Sequence, residues 1–221
     1  MNKSKSQKKS FLFIAALVIV LVQIIPYIIA QIIVVAFGLK THDLTLPVDL
    51  NIPFVPAFIV IYLGCFAYWV IEYMIVSRDA DIYAKYLTAS FVGSLLCFLL
   101  FLAYPVGMAR PEIPQIGFFA LIMKITYGAD RPVNLFPSMH CFASWICFIS
   151  NRSKTAASKT HVAISFFMTV LICLSTLFVK QHIILDVVAG IVLAELSYAL
   201  ARIKGFSNSA KKFHRILESH Y

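Results

Sequence analysis

The sequence predicts an all-α integral membrane protein with six transmembrane helices. The 221 residues are 61% hydrophobic, and their mean hydropathy of +0.86 is typical of membrane proteins and not of soluble domains. A helix needs about 20 apolar residues to cross the hydrocarbon core of a bilayer. The apolar runs suffice for six crossings, and we find no internal repeat and no soluble domain.

Five of the apolar runs are long and one is shorter. The long runs cover 11–37, 53–76, 87–106, 162–180 and 183–201, and the shorter run covers 136–150. The first run is too long for the core of a signal peptide and is followed by no small-residue cleavage site, so we predict that it stays as a span. The sequence thus predicts one membrane domain over 11–203, with loose basic tails over 1–10 and 204–221.

The basic residues predict the orientation of these spans. If the N-terminus is cytoplasmic, all but five of the 19 Lys and Arg residues fall in cytoplasmic segments. This bias predicts a multi-pass protein of the cell membrane with both termini in the cytoplasm. Anionic lipid at the inner leaflet explains the formal charge of +9, so we infer a bilayer and no nucleic acid as partner.

Other residues inside the spans have structural interpretations. The five cysteines lie in apolar runs without metal-ligand spacing, which favours packing roles. Glu72 and Glu195 lie in the inner halves of spans, away from the outer face, and we expect each to be paired structurally or to snorkel to the interface. We infer no cofactor and no metal site.

Chemically active side chains collect where the fourth and sixth spans begin. Both spans run from outside to inside, so their first residues share one depth at the outer face. Ser138, Met139 and His140 begin the fourth span, and His182 and Asp186 begin the sixth. Because His182 and Asp186 are four residues apart, a helix brings the carboxylate within reach of one imidazole nitrogen. The other nitrogen is then free to act as nucleophile or base.

The segment NLFPSMH (134–140) is suited to binding phosphate. Pro137 fits the first turn of a helix, and the main-chain N–H groups that follow form an anion site. We expect Ser138 and the amide of Met139 to hold phosphate oxygens. His140 is then placed to protonate a leaving group.

Basic residues near the same face would complete a phosphate site, because cations stabilise the charge on the peripheral oxygens of a phosphate ester. Arg110, Lys124 and Arg131 lie in the loop 107–135, in which we predict a short helix around 115–127. Lys180 lies two residues before His182. For each of the four cations, a solvated or lipid-contacting charge is the alternative.

These segments resemble motifs of the type 2 phosphatidic acid phosphatase (PAP2) superfamily. PSMH (137–140) resembles its Pro-Ser-Gly-His motif, and STLFVKQHIILD (175–186) resembles its Ser-Arg-x5-His-x3-Asp motif. The resemblance implies that His182 is the nucleophile that forms a phosphohistidine and that Asp186 orients it. It also implies that His140 is the general acid and that Ser138 binds phosphate.

The chain departs from the family pattern at several positions. Met139 replaces the glycine of the second motif, and Thr176 stands at the arginine of the third, where Lys180 could substitute for it. Two segments compete for the first motif, Lys-x6-Arg-Pro. KITYGADRP (124–132) has the full spacing but lies close to PSMH, whereas MARP (108–111) lies at a more usual distance and lacks the lysine.

The resemblance implies an enzyme but leaves its reaction open. It favours a PAP2-type phosphatase that hydrolyses a lipid phosphate or diphosphate at the extracytoplasmic face. NLFPSMH and VKQH also resemble the branch near inositol-phosphorylceramide and sphingomyelin synthases, which transfer a phosphorylated head group. Two further alternatives are zinc chemistry at His140, His182 and Asp186, and a phospholipid-binding or transport protein without catalysis.

Overall fold

The computed structural model describes residues 5–113, 117–153 and 158–221, which fold into helices without a β-strand. The helices are α1 (Lys5–Ala36), α2 (Pro47–Leu50), a 3-10 turn (Pro56–Phe58), α3 (Ile59–Val76), α4 (Ala80–Ala103), α5 (Phe118–Ala129), α6 (Met139–Ser153), α7 (Lys159–Phe178), α8 (Ile184–Ala201) and α9 (Asn208–His220). The predicted all-α class is confirmed. The basic residues Lys3 and Lys154, which contributed to the predicted orientation, lie outside the described residues.

Five helices are long and apolar enough to cross a membrane, and they correspond to the five long runs of the sequence. The largest difference concerns α4, which begins at Ala80 and not near residue 87. The carboxylate of Asp79 caps this helix by accepting the N–H groups of Asp81 and Ile82. The charged residues in the first turns of α4 lower its local hydropathy, so the hydropathy pattern predicted a later start. The helix ends before Pro105, which cannot donate a helical hydrogen bond.

The shorter predicted run corresponds to α6, which differs from the five spans. It has 15 residues, or about 22 Å at 1.5 Å per residue, which is less than a bilayer core. It packs against α3, α4, α7 and α8, and ten of its residues are buried. The count of six spans and the orientation of the termini stay predictions.

Two close helix contacts involve glycines that face α6. A Cβ atom at Gly93 of α4 would lie 2.0 Å from the ring of Phe142, and one at Gly190 of α8 would lie 2.5 Å from the main-chain oxygen of Ser138. Only the missing side chains allow these approaches. The N-terminal half of α6 is therefore held directly against α4 and α8.

The C-terminal segment is not the loose tail that the sequence predicted. Helix α9 packs against α4 and α1. His214 is buried at its centre, with its Nε2 2.9 Å from the main-chain oxygen of Ser77 and its ring against Phe11 and Tyr83. The hydropathy of the segment is low because only one face of α9 is apolar.

The predicted structural pairing of the two carboxylates within spans is confirmed. Glu72 is buried and accepts a hydrogen bond from Asn151 Nδ2 at 2.8 Å, with His161 Nε2 at 3.4 Å. Glu195 accepts one from Trp145 Nε1 at 2.9 Å. Both carboxylates hold helices together.

Candidate active site

The turn between α7 and α8 places His182 beside Asp186. His182 Nδ1 lies 3.2 Å from Asp186 Oδ2, and the two residues are 7% and 0% exposed. A carboxylate can only accept a hydrogen bond, so Nδ1 carries the proton and Nε2 keeps its lone pair. Asp186 Oδ2 also accepts the N–H of Ile183 at 3.1 Å, which fixes the carboxylate at the start of α8.

The backbone of this turn is tightly organised. The main-chain oxygen of Thr176 accepts the N–H groups of Gln181 and His182 at 2.9 and 3.2 Å. Lys180 adopts a φ of 51°, a left-handed conformation that costs a residue with a Cβ roughly 1 kcal/mol. Thr176 is fully buried with its hydroxyl bonded to Cys173. It therefore contributes to the shape of the turn and not to the cation set.

The start of α6 joins the start of α8 through main-chain contacts. Ser138 donates its N–H to the main-chain oxygen of Asp186 at 3.0 Å, and its hydroxyl accepts the N–H of Cys141 at 3.3 Å. Ser138 is thus the N-cap of α6, fully buried beneath the site. The side chain of Met139 packs against the main hydrophobic core.

His140 lies in the first turn of α6 among aromatic rings. Its ring centroid is 4.4 Å from that of Tyr62, 5.5 Å from that of Trp69 and 5.9 Å from that of His182. Its Nε2 is buried and has no hydrogen-bond partner among the described residues. Buried polar atoms normally have a partner, so a nitrogen in this state is suited to bonding an atom of a bound ligand.

Arg110 connects the loop after α4 to the His182 turn. Its guanidinium donates to the main-chain oxygens of Tyr127 and Asp130 at 3.3 and 2.6 Å, and also to Gln181 Oε1. It lies 4.3 Å above the ring of Tyr127. The Asp130 carboxylate is bonded in turn to Tyr27 of α1 at 2.5 Å. Helices α1 and α5 therefore hold Arg110 in place beside the turn.

A cavity of about 560 Å³ opens in front of this turn. Its lining residues are Asp43, Thr45, Asp49, Leu50, Ile52, Pro53, Phe54, Met108, Ala109, Arg110, Pro111, Leu177, Lys180, His182 and Ile183. The wall is mostly apolar with a few charged groups, as is usual for a ligand pocket. A lipid with one phosphate head group matches that distribution.

The structure brings some of the predicted site residues together and leaves others apart. Arg110, Lys180 and His182 line the cavity, whereas Lys124 and Arg131 do not. Both of these basic residues are exposed, Lys124 on α5 and Arg131 just after it. The remaining predicted site residues are also absent from the lining of the cavity, namely Ser138, Met139, His140 and Asp186. The helix predicted around 115–127 is present as α5, which ends at Ala129, two residues later than predicted. Residues 115 and 116 lie outside the described part of the chain.

Sequence reasoning missed Asp49. This residue belongs to the four-residue helix α2 and is 4% exposed. Its Oδ1 accepts the N–H of Ile184 at 2.8 Å, and its main-chain oxygen accepts Lys180 Nζ at 3.0 Å. The one local signal in the sequence is Pro47 followed by Asp49, a pattern typical of the first turn of a helix. That signal does not reveal the partner 135 residues away.

The charges around His182 act on it in opposite directions. Burial lowers the pKa of the imidazole, but Asp186, Cys141 and Asp130 raise it, and the net shift is upward from 6.5. Burial also lowers the pKa of Lys180, against the effect of Asp49. In the ranges that the structure describes, no group of three or more His, Cys, Asp or Glu side chains is arranged to hold a metal ion.

Comparison with known proteins gives one match. The family model of the PAP2 superfamily matches residues 50–200, a range that includes the His182–Asp186 pair, Ser138, His140 and both candidate first motifs. No curated protein and no solved structure matches the chain significantly.

Proposed function

Because the chain belongs to the PAP2 superfamily, we propose that it is a membrane enzyme that hydrolyses a lipid phosphate or diphosphate through a phosphohistidine on His182. The observation that carries this proposal is the buried His182–Asp186 pair, 3.2 Å apart, whose histidine lines a cavity. Simple anion binding has no use for an imidazole held in one tautomer by a buried carboxylate. An imidazole held in this way is an oriented nucleophile.

In the first step, Nε2 of His182 attacks phosphorus. An N–P bond forms, the P–O bond to the lipid breaks, and His140 donates its proton to the departing oxygen. The separation of 5.9 Å between the two ring centroids lets both rings contact the same ester group. The Asp186 carboxylate stabilises the positive charge that develops on the His182 ring, as in other oriented histidines.

In the second step, water attacks the phosphorus of the phosphohistidine. The N–P bond breaks, His140 accepts a proton from the water, and inorganic phosphate leaves. His140 thus acts first as acid and then as base, and the enzyme returns to its starting state. An alcohol in place of this water would give a phosphodiester, which is the transferase alternative.

Arg110 and Lys180 supply the cations for the phosphoryl oxygens in this proposal. Both line the cavity with His182, which supports MARP (108–111) over KITYGADRP (124–132) as the first motif. The main-chain oxygens that now hold these two side chains are neutral, so a phosphate competes well for either cation.

The substrate in this proposal keeps its acyl or prenyl chain in the bilayer. The cavity has apolar walls at the end of the bundle where α7 and α8 meet. Of the basic residues assigned to cytoplasmic segments, those in the described ranges lie near the opposite helix ends, as Arg78 after α3 and Arg202 after α8 do. We therefore propose an extracytoplasmic active site in the cell membrane. Phosphatidate, phosphatidylglycerol phosphate and polyprenyl diphosphates all have the required chemistry.

The decisive experiment is phosphate release by the purified protein in detergent with EDTA, over a panel of lipid phosphates and diphosphates. We expect release that His182→Ala abolishes, and an acid-labile phosphoryl group on His182 when turnover is stopped with alkali. If the phosphoryl group of the substrate were transferred to an added alcohol and no free phosphate were released, the transferase alternative would be favoured. Activity lost with EDTA and restored by zinc would replace the phosphohistidine with metal chemistry, and turnover unchanged in His182→Ala would refute the proposal.

A further inference from the structure

We propose that Asp49 is a positioning residue of this site and acts through the first turn of α8. The inference rests on the proposed function, since the group it positions is the His182–Asp186 pair. Asp49 does not touch either of these side chains. Its carboxylate instead holds the backbone at the start of α8, next to the residues that carry them.

Asp49 is bonded to both ends of the turn that contains His182. Its Oδ1 accepts the N–H of Ile184, the first residue of α8, at 2.8 Å. Its main-chain oxygen accepts Lys180 Nζ at 3.0 Å. His182 lies between these two anchors, so a shift of Asp49 moves the segment that presents the nucleophile.

The carboxylate of Asp49 complements that of Asp186. Asp186 accepts the N–H of Ile183 and Asp49 accepts the N–H of Ile184, so each acid satisfies one of the main-chain donors that lack a helical partner at the start of α8. Asp186 is then free to keep its contact with His182 Nδ1. Without Asp49, the N–H of Ile184 would compete for the same carboxylate.

Asp49 is itself held firmly in the short helix α2. Its Oδ2 accepts the N–H of Leu46 at 2.9 Å, and it is 4% exposed. Both carboxylate oxygens are therefore used, one within α2 and one for α8. If Asp49 only stabilised the loop between α1 and α3, the bond to Leu46 would be sufficient and the bond to Ile184 would not be needed.

The test compares two substitutions at Asp49 with a matched control. Asp49→Ala removes both acceptor oxygens, and Asp49→Asn keeps the shape and one of them. The control is Asp79→Ala, which removes the carboxylate that caps α4 at the other end of the bundle. We expect Asp49→Ala to lower kcat by about 10²-fold, the effect of misplacing a reacting group by about 1 Å, with KM changed by less than about threefold. Asp49→Asn should retain intermediate activity, and Asp79→Ala should lower the melting temperature without lowering kcat.

A second readout does not depend on turnover. In the protein labelled at its six histidines, the NMR titration of His182, assigned with His182→Ala, reports the contact with Asp186. The other titratable groups near this ring are His140, Cys141 and Asp130, and Asp49, Arg110 and Lys180 line the same cavity. We expect the midpoint for His182 to fall by about one pH unit in Asp49→Ala, the lower end of the effect of a neighbouring charge, and to stay in place in Asp79→Ala.

The outcomes separate this inference from the proposed function. If His182→Ala is inactive but both Asp49 variants keep the wild-type kcat and titration midpoint, the positioning role is refuted and the proposed function stands. If His182→Ala keeps full turnover, the proposed function fails, and the titration alone decides whether Asp49 orders the turn. Should Asp49→Ala not fold, the same measurements on Asp49→Asn decide, and a wild-type result there overturns the inference.

Discussion

At the scale of single residues, the two site histidines differ in their surroundings. His182 is bonded to a buried carboxylate, whereas His140 lies among aromatic rings and its Nε2 has no partner in the described part of the chain. The first environment favours a nucleophile that becomes positively charged, and the second leaves an imidazole nitrogen available to hydrogen-bond an oxygen of a bound ligand.

The Asp186→Asn variant tests the first of these assignments. An amide cannot hold the same imidazole tautomer or stabilise its charge, so we expect kcat to fall by roughly 10² to 10⁴. The shape of the side chain is kept, and the melting temperature should change little. Full activity in this variant would show that His182 does not depend on the carboxylate.

The rate should depend on pH in a direction set by His182. Nucleophilic attack requires an unprotonated Nε2, and the pKa of His182 is shifted upward from 6.5. We therefore expect kcat/KM to fall on the acid side with an apparent pKa above 6.5. A profile measured over about pH 4 to 9 checks this, and an acid limb below 6.5 would contradict it.

The two candidate first motifs make different predictions. Arg110 lines the cavity, and Lys124 and Arg131 do not. We expect Arg110→Ala to lower kcat/KM by about 10²-fold, as for the loss of one charge-stabilising donor, and Lys124→Ala and Arg131→Ala to change it by less than about threefold. A larger loss of kcat/KM in Lys124→Ala or Arg131→Ala than in Arg110→Ala would indicate that the segment KITYGADRP (124–132) supplies the cation that binds the phosphate.

The sequence was sufficient to predict the His182–Asp186 contact, but for a different reason than helical spacing, because His182 lies two residues before α8. The carboxylate of Asp186 turns back to the start of the helix, where it accepts a main-chain N–H and meets His182 Nδ1. It could not choose between Arg110 and Arg131, because the choice depends on how a loop folds over the bundle. Asp49 was out of reach for a stronger reason. Its partners lie more than 130 residues away along the chain, and nothing local in their sequence identifies them.

At the scale of helices, the close contact of α8 with α6 sets the geometry of the site. Gly190 lies against the main-chain oxygen of Ser138, and that contact fixes the distance between the segment with Ser138 and His140 and the segment with His182 and Asp186. Hydropathy predicted both helices. It did not predict which glycine allows them to touch, because glycine is common in membrane helices for many reasons.

The Gly190→Ala variant should separate the two segments. Its Cβ would lie 2.5 Å from Ser138 O and 3.2 Å from Cys141 Cβ, so α6 must move, at a cost of about 1 to 3 kcal/mol. We expect lower kcat together with a lower melting temperature. Gly64→Ala on α3 is the control, because its Cβ would meet no atom within 4 Å. Equal activities in the two variants would show that this contact does not position the site.

At the scale of the whole molecule, the orientation in the membrane determines which leaflet supplies the substrate. All five native cysteines are buried, so an impermeant thiol reagent should report only an introduced cysteine. In intact cells we expect labelling of Leu50→Cys at the cavity, and labelling of Lys212→Cys on α9 only after permeabilisation. The reverse pattern would place the active site in the cytoplasm.

The polar character of α6 has a consequence for biosynthesis. Ser144, Ser150 and Asn151 are buried between neighbouring helices, and Asn151 is bonded to Glu72 of α3. For a helix of 15 residues with this composition, the free energy of transfer into lipid is only weakly favourable. We therefore expect the translocon to insert it poorly as an isolated helix. We expect it to insert against α3 and α4, which are synthesised before it, and to be enclosed by α7 and α8, which are synthesised after it and also pack against it. The segment that carries Ser138 and His140 thus gains its place only after the last span has been synthesised.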